Sequence, residues 1–408
     1  MLYRRLKFLG DKFRFLYYWV QYAAARLVAP ILRYRPEYRH LWIIAERGID
    51  ARDNGYHLFA YIRRKAPDVN IRYIISDDSA DKAKVEALGN TIRYRSFHHM
   101  LAFVLSEVKI STHIMGYAAD MYFFKLLDAR NPVGGKKVFL QHGITLHNIP
   151  YLYAKTTNLD LFVCASMRER EFIGTYFGYK NSIARCLGFC RFDALPVEKS
   201  RHRSGKILLM PTWRLYLQSI GKSAFQKSRY YQTIQGFLNS EKLQVLLKKY
   251  HYQLLFYPHH EIQIYGQSFF SKDKNVLVET EKKADVQKLL IETDILITDY
   301  SSVFFDFAYM KKPVLYYQFD QKDFFADHYQ KGYFSYERDG FGPVVCHERE
   351  LIKELETCLK GACEMQEKYQ KRVDDFFNQR DHKNCERNYR AVQKLLNEGR
   401  NETNARNS

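Results

Sequence analysis

Residues 294–317 read Asp-Ile-Leu-Ile-Thr-Asp-Tyr-Ser-Ser-Val-Phe-Phe-Asp-Phe-Ala-Tyr-Met-Lys-Lys-Pro-Val-Leu-Tyr-Tyr. The apolar run 295–297 is typical of a strand in a parallel sheet, because such strands are covered on both faces. Residues 303–310 then predict a short helix, which Lys-Lys-Pro ends, and residues 314–317 predict the next strand. A strand, a helix and a second strand in this order predict one βαβ unit of an α/β fold.

A pair of serines, Ser301 and Ser302, joins the first of these strands to the helix. Either hydroxyl could cap the helix. A serine turn at the carboxyl edge of a sheet also presents backbone N–H groups and hydroxyls, and phosphates bind well at such places. The turn is therefore either a well-capped connection or part of a phosphate site, and two further segments favour the site.

Both further segments bring a histidine to the end of a predicted strand. The first reads Val-Phe-Leu-Gln-His-Gly over residues 138–143, and the second reads Gln-Leu-Leu-Phe-Tyr-Pro-His-His over residues 253–260. In a parallel sheet, the residues just past the strand ends line the ligand crevice. A lone histidine is usually structural, but His142 and His259 follow two separate strands in the same way. This pattern indicates a site.

Alternating strand and helix patterns cover residues 40–196 and begin again at residue 206, after the polar linker 197–205. We predict two doubly wound, Rossmann-like α/β domains that face each other across a cleft. The predicted segments are 1–35 (a membrane-association helix), 36–200 (first domain), 201–396 (second domain with C-terminal helices) and 397–408 (a disordered tail). The predicted strands are 41–45, 70–75, 109–112, 138–141, 159–164, 184–188, 206–210, one ending at 258, 276–279, 295–298 and 314–317.

Residues 1–35 predict a basic amphipathic helix. Seven apolar residues fall on one helical stripe, and most of the basic residues fall elsewhere. The stripe consists of Leu2, Leu6, Leu9, Phe13, Leu16, Val20 and Leu27. A helix of this kind with several aromatic residues suits the surface of an anionic membrane. The alternative is an ordinary helix that packs on the first domain and keeps its charges in water.

The composition narrows the class of protein. The 408 residues are 46% hydrophobic and 27% charged, with a formal net charge of +19, which indicates an anionic partner such as a membrane surface, a polyanionic polymer or a nucleic acid. The seven cysteines show no Cys-x-x-Cys spacing, so we expect reduced thiols in the cytoplasm. No apolar run is long enough to span a membrane, and no signal peptide is evident.

Several common cofactor and metal motifs are absent. The sequence contains no Gly-x-Gly-x-x-Gly, and Gly134-Gly135-Lys136-Lys137 lacks the Ser or Thr of a phosphate loop and precedes a strand. No Asp-x-Asp triplet is present either. We therefore expect no cofactor and no protein-held metal, and chemistry that relies on histidines, basic residues and helix ends.

The ordered set of motifs resembles the CDP-glycerol glycerophosphotransferase family, whose bacterial members prime or extend teichoic-acid-type poly(alditol phosphate) chains. The resemblance covers roughly residues 40–345. The segments that carry it are Gln141-His142-Gly143, Gly188-Phe-Cys-Arg-Phe-Asp193, Met210-Pro-Thr-Trp-Arg214, Pro258-His259, Thr298-Asp-Tyr-Ser-Ser302 with Asp306, and Gly332-Tyr-Phe through Asp339-Gly-Phe-Gly-Pro343.

The resemblance implies a GT-B-like fold and transfer of an alditol phosphate from a CDP-activated donor, with release of CMP. The donor would be CDP-glycerol or CDP-ribitol, and the acceptor a lipid-linked or polymer chain at the inner face of the cell membrane, in teichoic acid or capsule synthesis. It also implies that His142 acts as the base and that His259 assists at the phosphates. The family's His-Pro appears here as His259-His260, so His260 is a second candidate.

Other residues have two interpretations each. An acceptor hydroxyl needs a base near neutral pKa, and the transferred phosphate needs donors. Ser301 and Ser302 could supply hydroxyls. Arg214 is expected to bind phosphate, or else to form a packed corner with Trp213. Asp339 could hold a donor hydroxyl or cap a turn.

The remaining donor-site candidates are Thr298 and Asp299, with Gly143, Arg191 and Asp306 as further possibilities. For Arg191 we favour a structural salt bridge to Asp193. Two other functions stay open: a GT-B glycosyltransferase that uses a nucleotide sugar, and a noncatalytic polyanion- or nucleic-acid-binding protein. The second rests on charge alone, since the informative residues lie at strand ends rather than on a basic and aromatic surface.

Overall fold

The computed structural model describes residues 2–197, 203–218, 220–259, 261–279, 285–327 and 332–407, with side chains between residues 12 and 398. The chain divides into two compact units. Unit 1 contains residues 1–142, 150–194 and 381–408, and unit 2 contains residues 143–149 and 195–380. Each unit is built on its own parallel sheet.

The strands of unit 1 are β1 (Trp42–Ala45), β2 (Ile71–Ile75), β3 (Thr91–Arg93), β4 (Val108–Ser111), β5 (Lys136–Phe139), β6 (Leu161–Cys164) and β7 (Ala184–Cys186). Within the described residues they form one sheet in the order β3-β2-β1-β4-β5-β6-β7, with parallel pairing throughout. Every residue of β1, β4 and β6 is buried, as expected for strands covered on both faces.

The helices of unit 1 are α1 (Leu2–Leu32), α2 (Asn54–Lys65), α3 (Lys82–Glu86), α4 (Phe97–Leu105), α5 (Met121–Arg130), α6 (Met167–Phe177) and, from the end of the chain, α16 (Asn384–Asn407). Side-chain caps fix where several of them begin. Asp53 caps α2, Ser96 caps α4, Asp120 caps α5 and Ser166 caps α6.

The strands of unit 2 are β8 (Lys206–Leu209), β9 (Gln253–Phe256), β10 (Val276–Val278), β11 (Ile295–Thr298), β12 (Val314–Tyr317) and β13 (Val344–Val345). Among the residues that the structure describes, they form a parallel sheet in the order β10-β9-β8-β11-β12-β13. The helices are α7 (Lys222–Lys227), α8 (Arg229–Leu238), α9 (Glu241–Tyr250), α10 (Val286–Ile291), α11 (Val303–Tyr309), α12 (Gln321–Asp327), α13 (Tyr336–Asp339), α14 (Glu348–Lys360) and α15 (Glu367–Phe376).

The strand order creates one topological switch point in each sheet. In unit 1 the chain runs outward from β1 to β3 and then continues on the other side of β1 with β4. In unit 2 the same change of direction separates β8 from β11. Ligands of open α/β sheets bind at the carboxyl ends of the strands beside such a point. The loops after β1, β4, β8 and β11 are therefore placed to form sites.

The predicted α/β class and the predicted strands are confirmed, with small differences in their ends. Two short edge strands, β3 and β13, were not predicted, because three and two residues are too few to show a periodic pattern. The boundaries also differ from the prediction. The C-terminal helix α16 belongs to unit 1, and it continues to Asn407 where the sequence predicts a disordered tail.

The N-terminal segment forms the single helix α1, which packs on α4 through one side. Tyr18 and Ala25 are buried on that side, and the Tyr22 ring lies 5.8 Å from the Phe124 ring. The described part of the predicted apolar stripe instead faces solvent. Across the described residues, no helix combines the length and the apolar character needed to cross a bilayer.

Candidate active site

His142 lies at the carboxyl edge of the unit 1 sheet, three residues after β5. The preceding Gln141 has a φ of 61°. The Gln141 side chain is buried and donates from Nε2 to the Val163 carbonyl and to Glu169. The backbone turns sharply at the strand end. These bonds hold the Gln141 side chain in the interior, whereas the side chain of His142 is exposed. The predicted placement of His142 at a strand end is thus what the structure shows.

The hydrogen bond at Nδ1 sets the tautomer of His142. Nδ1 lies 3.3 Å from the carbonyl oxygen of Thr112, which follows β4. Since a carbonyl only accepts, the proton resides on Nδ1, and Nε2 carries the lone pair. An imidazole in this state can accept a proton at Nε2, as a general base does.

The surroundings of His142 keep it neutral. Loss of solvation lowers the pKa of His142 below its usual value, and Arg191 and Arg47 lower it further. Asp53 and the bond to Thr112 act in the opposite direction without reversing the shift. The residue nevertheless stays accessible to solvent. At neutral pH the imidazole is therefore uncharged and able to accept a proton.

Arg191 does not pair with Asp193, so the predicted salt bridge is wrong. Arg191 Nη1 donates to Asp53 Oδ1 over 2.8 Å. Asp193 instead accepts from the backbone N–H groups of Asn384 and Cys385 at the start of α16. Arg191 and Asp193 are only two positions apart in sequence, but Arg191 bonds to the residue that caps α2 and Asp193 bonds to the start of α16. Of the two, Arg191 is the one that acts on His142.

Gly143 lies in unit 2, against the serine turn. A Cβ at Gly143 would stand 2.7 Å from Ser302 Oγ, which is closer than van der Waals contact allows. The missing side chain gives room to Ser302. The Gln141-His142-Gly143 motif thus provides a histidine for unit 1 and a contact with the serine turn for unit 2.

Ser301 and Ser302 precede α11, at the switch point of the unit 2 sheet. Ser302 occupies the N-cap position with helical φ and ψ angles of −63° and −9°, and its side chain makes no capping hydrogen bond. Both serines are half-buried. Of the two serines that could cap the helix, Ser302 therefore makes no capping bond.

Arg214 was expected to contact phosphate, but it is 1% exposed. Its Nε and Nη2 donate to Asp320 over 2.7 and 2.8 Å, and Nη2 also donates to Asp299 over 2.8 Å. Nη1 donates to the carbonyls of Thr212 and Trp213. All five N–H groups of the guanidinium are thus used within the protein. These bonds favour the packed-corner interpretation, and Arg214 anchors the loops after β8, β11 and β12.

Thr298 and Asp299 are buried parts of the same anchor. Thr298 Oγ1 donates to the Met210 carbonyl over 2.7 Å. Asp299 Oδ1 accepts from the backbone N–H groups of Thr212 and Tyr300 over 2.7 and 2.6 Å. Both residues were expected to bind the donor directly. The structure instead has them join the two loops that flank the switch point.

His259 follows β9 and is half-buried. Its ring lies 6.3 Å from the Trp213 ring, with 24° between the planes. The second histidine of the pair, His260, lies outside the described residues, so which of the two is oriented for function stays a prediction. Asp306, a further candidate, is buried within α11.

Asp339 ends the short helix α13. It accepts from the Ser335 backbone N–H over 2.9 Å and forms a salt bridge of 2.8 Å with Arg338. Ser335 in turn accepts from the Arg338 backbone N–H and caps the helix. Of the two interpretations given for Asp339, these bonds favour the turn cap.

Two important residues were missed in the sequence. His113 follows β4 as His142 follows β5, and their rings lie 4.4 Å apart with only 7° between their planes. The signal that identified His142, a histidine just past a strand, applied equally to His113. Asp320 was missed because its role depends on Arg214, which lies 106 positions away in the sequence. Among the described side chains, no group of three or more His, Cys, Asp or Glu could hold a metal ion.

The comparisons with known proteins point to one family. Residues 28–394 match the family described as CDP-Glycerol:Poly(glycerophosphate) glycerophosphotransferase. The minor teichoic acid biosynthesis protein GgaB of Bacillus subtilis (strain 168) is 33% identical over 369 residues, which are 88% of this chain and 40% of GgaB. A teichoic acid poly(glycerol phosphate) polymerase of Bacillus spizizenii is 31% identical over 149 residues, 36% of this chain and 35% of that protein. The chain thus spans less than half the length of these relatives.

Solved structures agree on the fold. The wall teichoic acid polymerase TagF superposes with a TM-score of 0.66 at 17% identity and covers 97% of this chain and 99% of its own. A UDP-N-acetylglucosamine 2-epimerase from Listeria monocytogenes gives a TM-score of 0.55 at 13% identity, over 88% of this chain and 96% of its own. At these identities the likeness concerns the fold, and it supports the GT-B-like class.

Proposed function

Because the chain belongs to the CDP-glycerol glycerophosphotransferase family, we propose that it transfers an alditol phosphate, in the first place glycerol phosphate, from a CDP-activated donor to an acceptor hydroxyl and releases CMP. The observation that carries the proposal is the state of His142. It is a neutral imidazole at a sheet edge, with Nδ1–H bound to the Thr112 carbonyl and Nε2 able to accept a proton. A reaction that begins at a hydroxyl requires such a base.

In the proposed reaction, the acceptor oxygen attacks the phosphorus that carries the alditol. The new O–P bond forms as the hydroxyl proton moves to Nε2 of His142. The P–O bond to CMP breaks, and its electron pair leaves with CMP. His142 then returns the proton to solvent. General-base assistance of this kind contributes about 10²–10⁴-fold to a rate.

We assign the donor phosphates to the serine turn and to His259 of unit 2. Ser301 and Ser302 offer hydroxyl donors beside the switch point, and Arg214 with Asp299 holds that loop in place. Hydroxyl and N–H donors stabilise the negative charge that develops on the transferred group and on CMP. The CDPG named with one TagF structure supports a CDP-alditol as the donor. We propose no protein-held metal and no cofactor.

The acceptor is proposed to be a lipid-linked or polyanionic polymer chain of the teichoic acid or capsule type. The net charge of +19 supports a negatively charged partner. The relatives named for teichoic acid synthesis support the pathway. We place the protein at the inner face of the cell membrane, held by the exposed apolar face of α1.

The proposal is tested by a donor screen. The purified chain is incubated with CDP-glycerol, CDP-ribitol or a UDP-sugar and a short lipid-linked poly(alditol phosphate) acceptor. CMP release and the mass of the acceptor are then measured. We expect growth by glycerol phosphate units with one CMP released for each unit. Transfer of a sugar from the UDP donor, without transfer from either CDP-alditol, would replace the proposal by the glycosyltransferase function.

A further inference from the structure

Thr112 holds two imidazoles at once. Its carbonyl oxygen lies 3.3 Å from Nδ1 of His142, and its side-chain Oγ1 lies 3.0 Å from Nδ1 of His113. The two rings stack almost in parallel, with centroids 4.4 Å apart and 7° between planes. One residue after β4 therefore fixes the positions of both rings.

The backbone under His113 is itself anchored. The His113 N–H donates to Ser111 Oγ over 3.1 Å, and that hydroxyl donates to the Glu46 carbonyl over 3.0 Å. Glu46 follows β1 and Ser111 ends β4, so the bonds join the two strands that flank the switch point. These hydrogen bonds fix the His113 backbone beside the switch point.

His113 is also held uncharged. Burial lowers the pKa of His113 to about 2, and His142 and Arg47 contribute to the same shift. The charged groups that act on His142 are Asp53, Arg191 and Arg47, and Arg47 also acts on His113. The face presented to His142 at neutral pH is consequently that of a neutral ring.

We infer that His113 is a positioning residue for His142, and that it fixes the plane of the base by stacking on it, while the Thr112 carbonyl fixes the tautomer. This inference rests on the proposed role of His142. When His142 takes the proton from the acceptor hydroxyl, a cation forms against the face of a neutral aromatic ring, which is a favourable arrangement. A second charged imidazole in that place would oppose the proton transfer.

Two substitutions separate stacking from other effects. His113→Ala removes the ring and admits water beside His142, whereas His113→Phe keeps a flat ring of similar size. We expect His113→Ala to lower the single-turnover rate by about 2- to 10-fold, the range that an aromatic pair is worth, with unchanged KM for CDP-glycerol. His113→Phe should retain the rate to within about twofold.

The pH dependence of the rate distinguishes a positioning role of His113 from a structural one. A purely structural role would leave the pH profile of the rate unchanged in His113→Ala. Since burial is the main cause of the lowered pKa of His142, readmitted water should raise that pKa toward its ordinary value. A base must be unprotonated, so the acid limb of the rate profile should move to higher pH in His113→Ala and stay in place in His113→Phe. His99→Ala is the matched control, because His99 is buried in the same unit and bonds to the Tyr117 carbonyl.

An NMR titration of the His142 ring makes the test independent of turnover. We expect the ring pKa to rise in His113→Ala and to remain unchanged in His113→Phe and His99→Ala. Unchanged ring pKa and rate in His113→Ala would overturn the positioning role, even when His142→Ala is inactive. Near-normal turnover in His142→Ala would overturn the base assignment and the inference together.

Discussion

Gly143 and Ser302 approach each other so closely that a Cβ on Gly143 would stand 2.7 Å from Ser302 Oγ. The atom that would have to move is the end of a short side chain, so the fold can accommodate a methyl group. The hydroxyl, however, must rotate or shift. The contact therefore links Gly143, which follows His142, to the Ser302 hydroxyl of unit 2, which we propose donates a hydrogen bond to a phosphate of the substrate.

Gly143→Ala should weaken donor binding with little loss of stability. We expect KM for CDP-glycerol to rise by about 10-fold, as for a lost hydrogen bond to a charged group, and the melting temperature to change little. The measurement is a double-mutant cycle with Ser302→Ala, read by initial rates. Because both changes act on one hydroxyl, the double variant should resemble Ser302→Ala alone. Simple multiplication of the two effects would contradict this relationship.

Arg214→Met should strongly destabilise the protein. It would leave Asp299 and Asp320, each 1–2% exposed, as buried carboxylates without their cation. Removal of one partner from a buried ion pair typically costs about 3–5 kcal/mol. Chemical denaturation monitored by circular dichroism measures the loss. The control is Arg349→Met on the exposed side of α14, where we expect a change within about 0.5 kcal/mol. Equal effects of the two substitutions would contradict the anchor role.

The fold was predictable to the extent that local pattern determines it. Continuous apolar runs such as 295–297 and the residues just past them identified the strands and the sheet edge. The same reasoning could not decide between the two interpretations of Arg214, because the sequence pattern of a basic residue after a strand is the same whether that residue binds a ligand or a buried carboxylate. Its partner Asp320 comes from a distant strand end, and no local pattern reveals that pairing.

The boundary errors have a similar cause. The prediction places residues 384–396 in helices of the second domain and 397–408 in a disordered tail, whereas residues 384–407 form one polar helix of unit 1. Contacts with distant residues attach the helix to unit 1: Asp193 caps its start, and Arg387 and Asn388 donate to the carbonyls of Leu187 and Gly188. Such a long-range contact does not appear in hydrophobic periodicity, which is a local property.

His99 should make the protein sensitive to acid. Burial lowers the pKa of His99 to about 4, while an unfolded chain has the ordinary value of 6.5. The unfolded state therefore binds a proton more readily between these values, and stability is lost as the pH falls from about 6.5 to 4. Denaturation at pH 7 and at pH 4.5 should show a smaller pH dependence in His99→Gln than in the unsubstituted protein. Identical pH dependence in both would exclude His99 as a contributor.

His142→Ala should lower turnover by about 10²–10⁴-fold without a matching loss of stability. The side chain is exposed and contributes one hydrogen bond, to the Thr112 carbonyl, so its removal should cost little folding free energy. Single-turnover rates beside thermal melts make the distinction. His259→Ala should also lower turnover, with a larger effect on donor binding. If the loss of activity in His142→Ala followed the loss of melting temperature, the residue would be structural.

The exposed face of α1 should bind anionic membranes. Phe13, Leu16, Val20 and Leu27 are 70%, 57%, 52% and 80% exposed, whereas Tyr18 on the opposite face is buried in unit 1. Deletion of residues 1–35 would therefore also uncover core, and substitution of the four exposed residues by serine is the sharper test. We expect the quadruple variant to keep its melting temperature and to lose co-flotation with phosphatidylglycerol vesicles, since each apolar side chain kept from the bilayer forfeits about 1.5–3 kcal/mol.

The matched control carries serine at Val245, Ile264, Phe270 and Leu277, four exposed apolar residues of unit 2. This variant removes a similar apolar area and leaves α1 intact, so it should float with the vesicles as the unsubstituted chain does. Raised salt should weaken flotation of both the control and the unsubstituted chain, because Lys12 and Arg26 on α1 and Arg33 just after it are exposed and attract anionic lipid. Flotation of the α1 variant equal to that of the control would show that the helix does not bind the membrane.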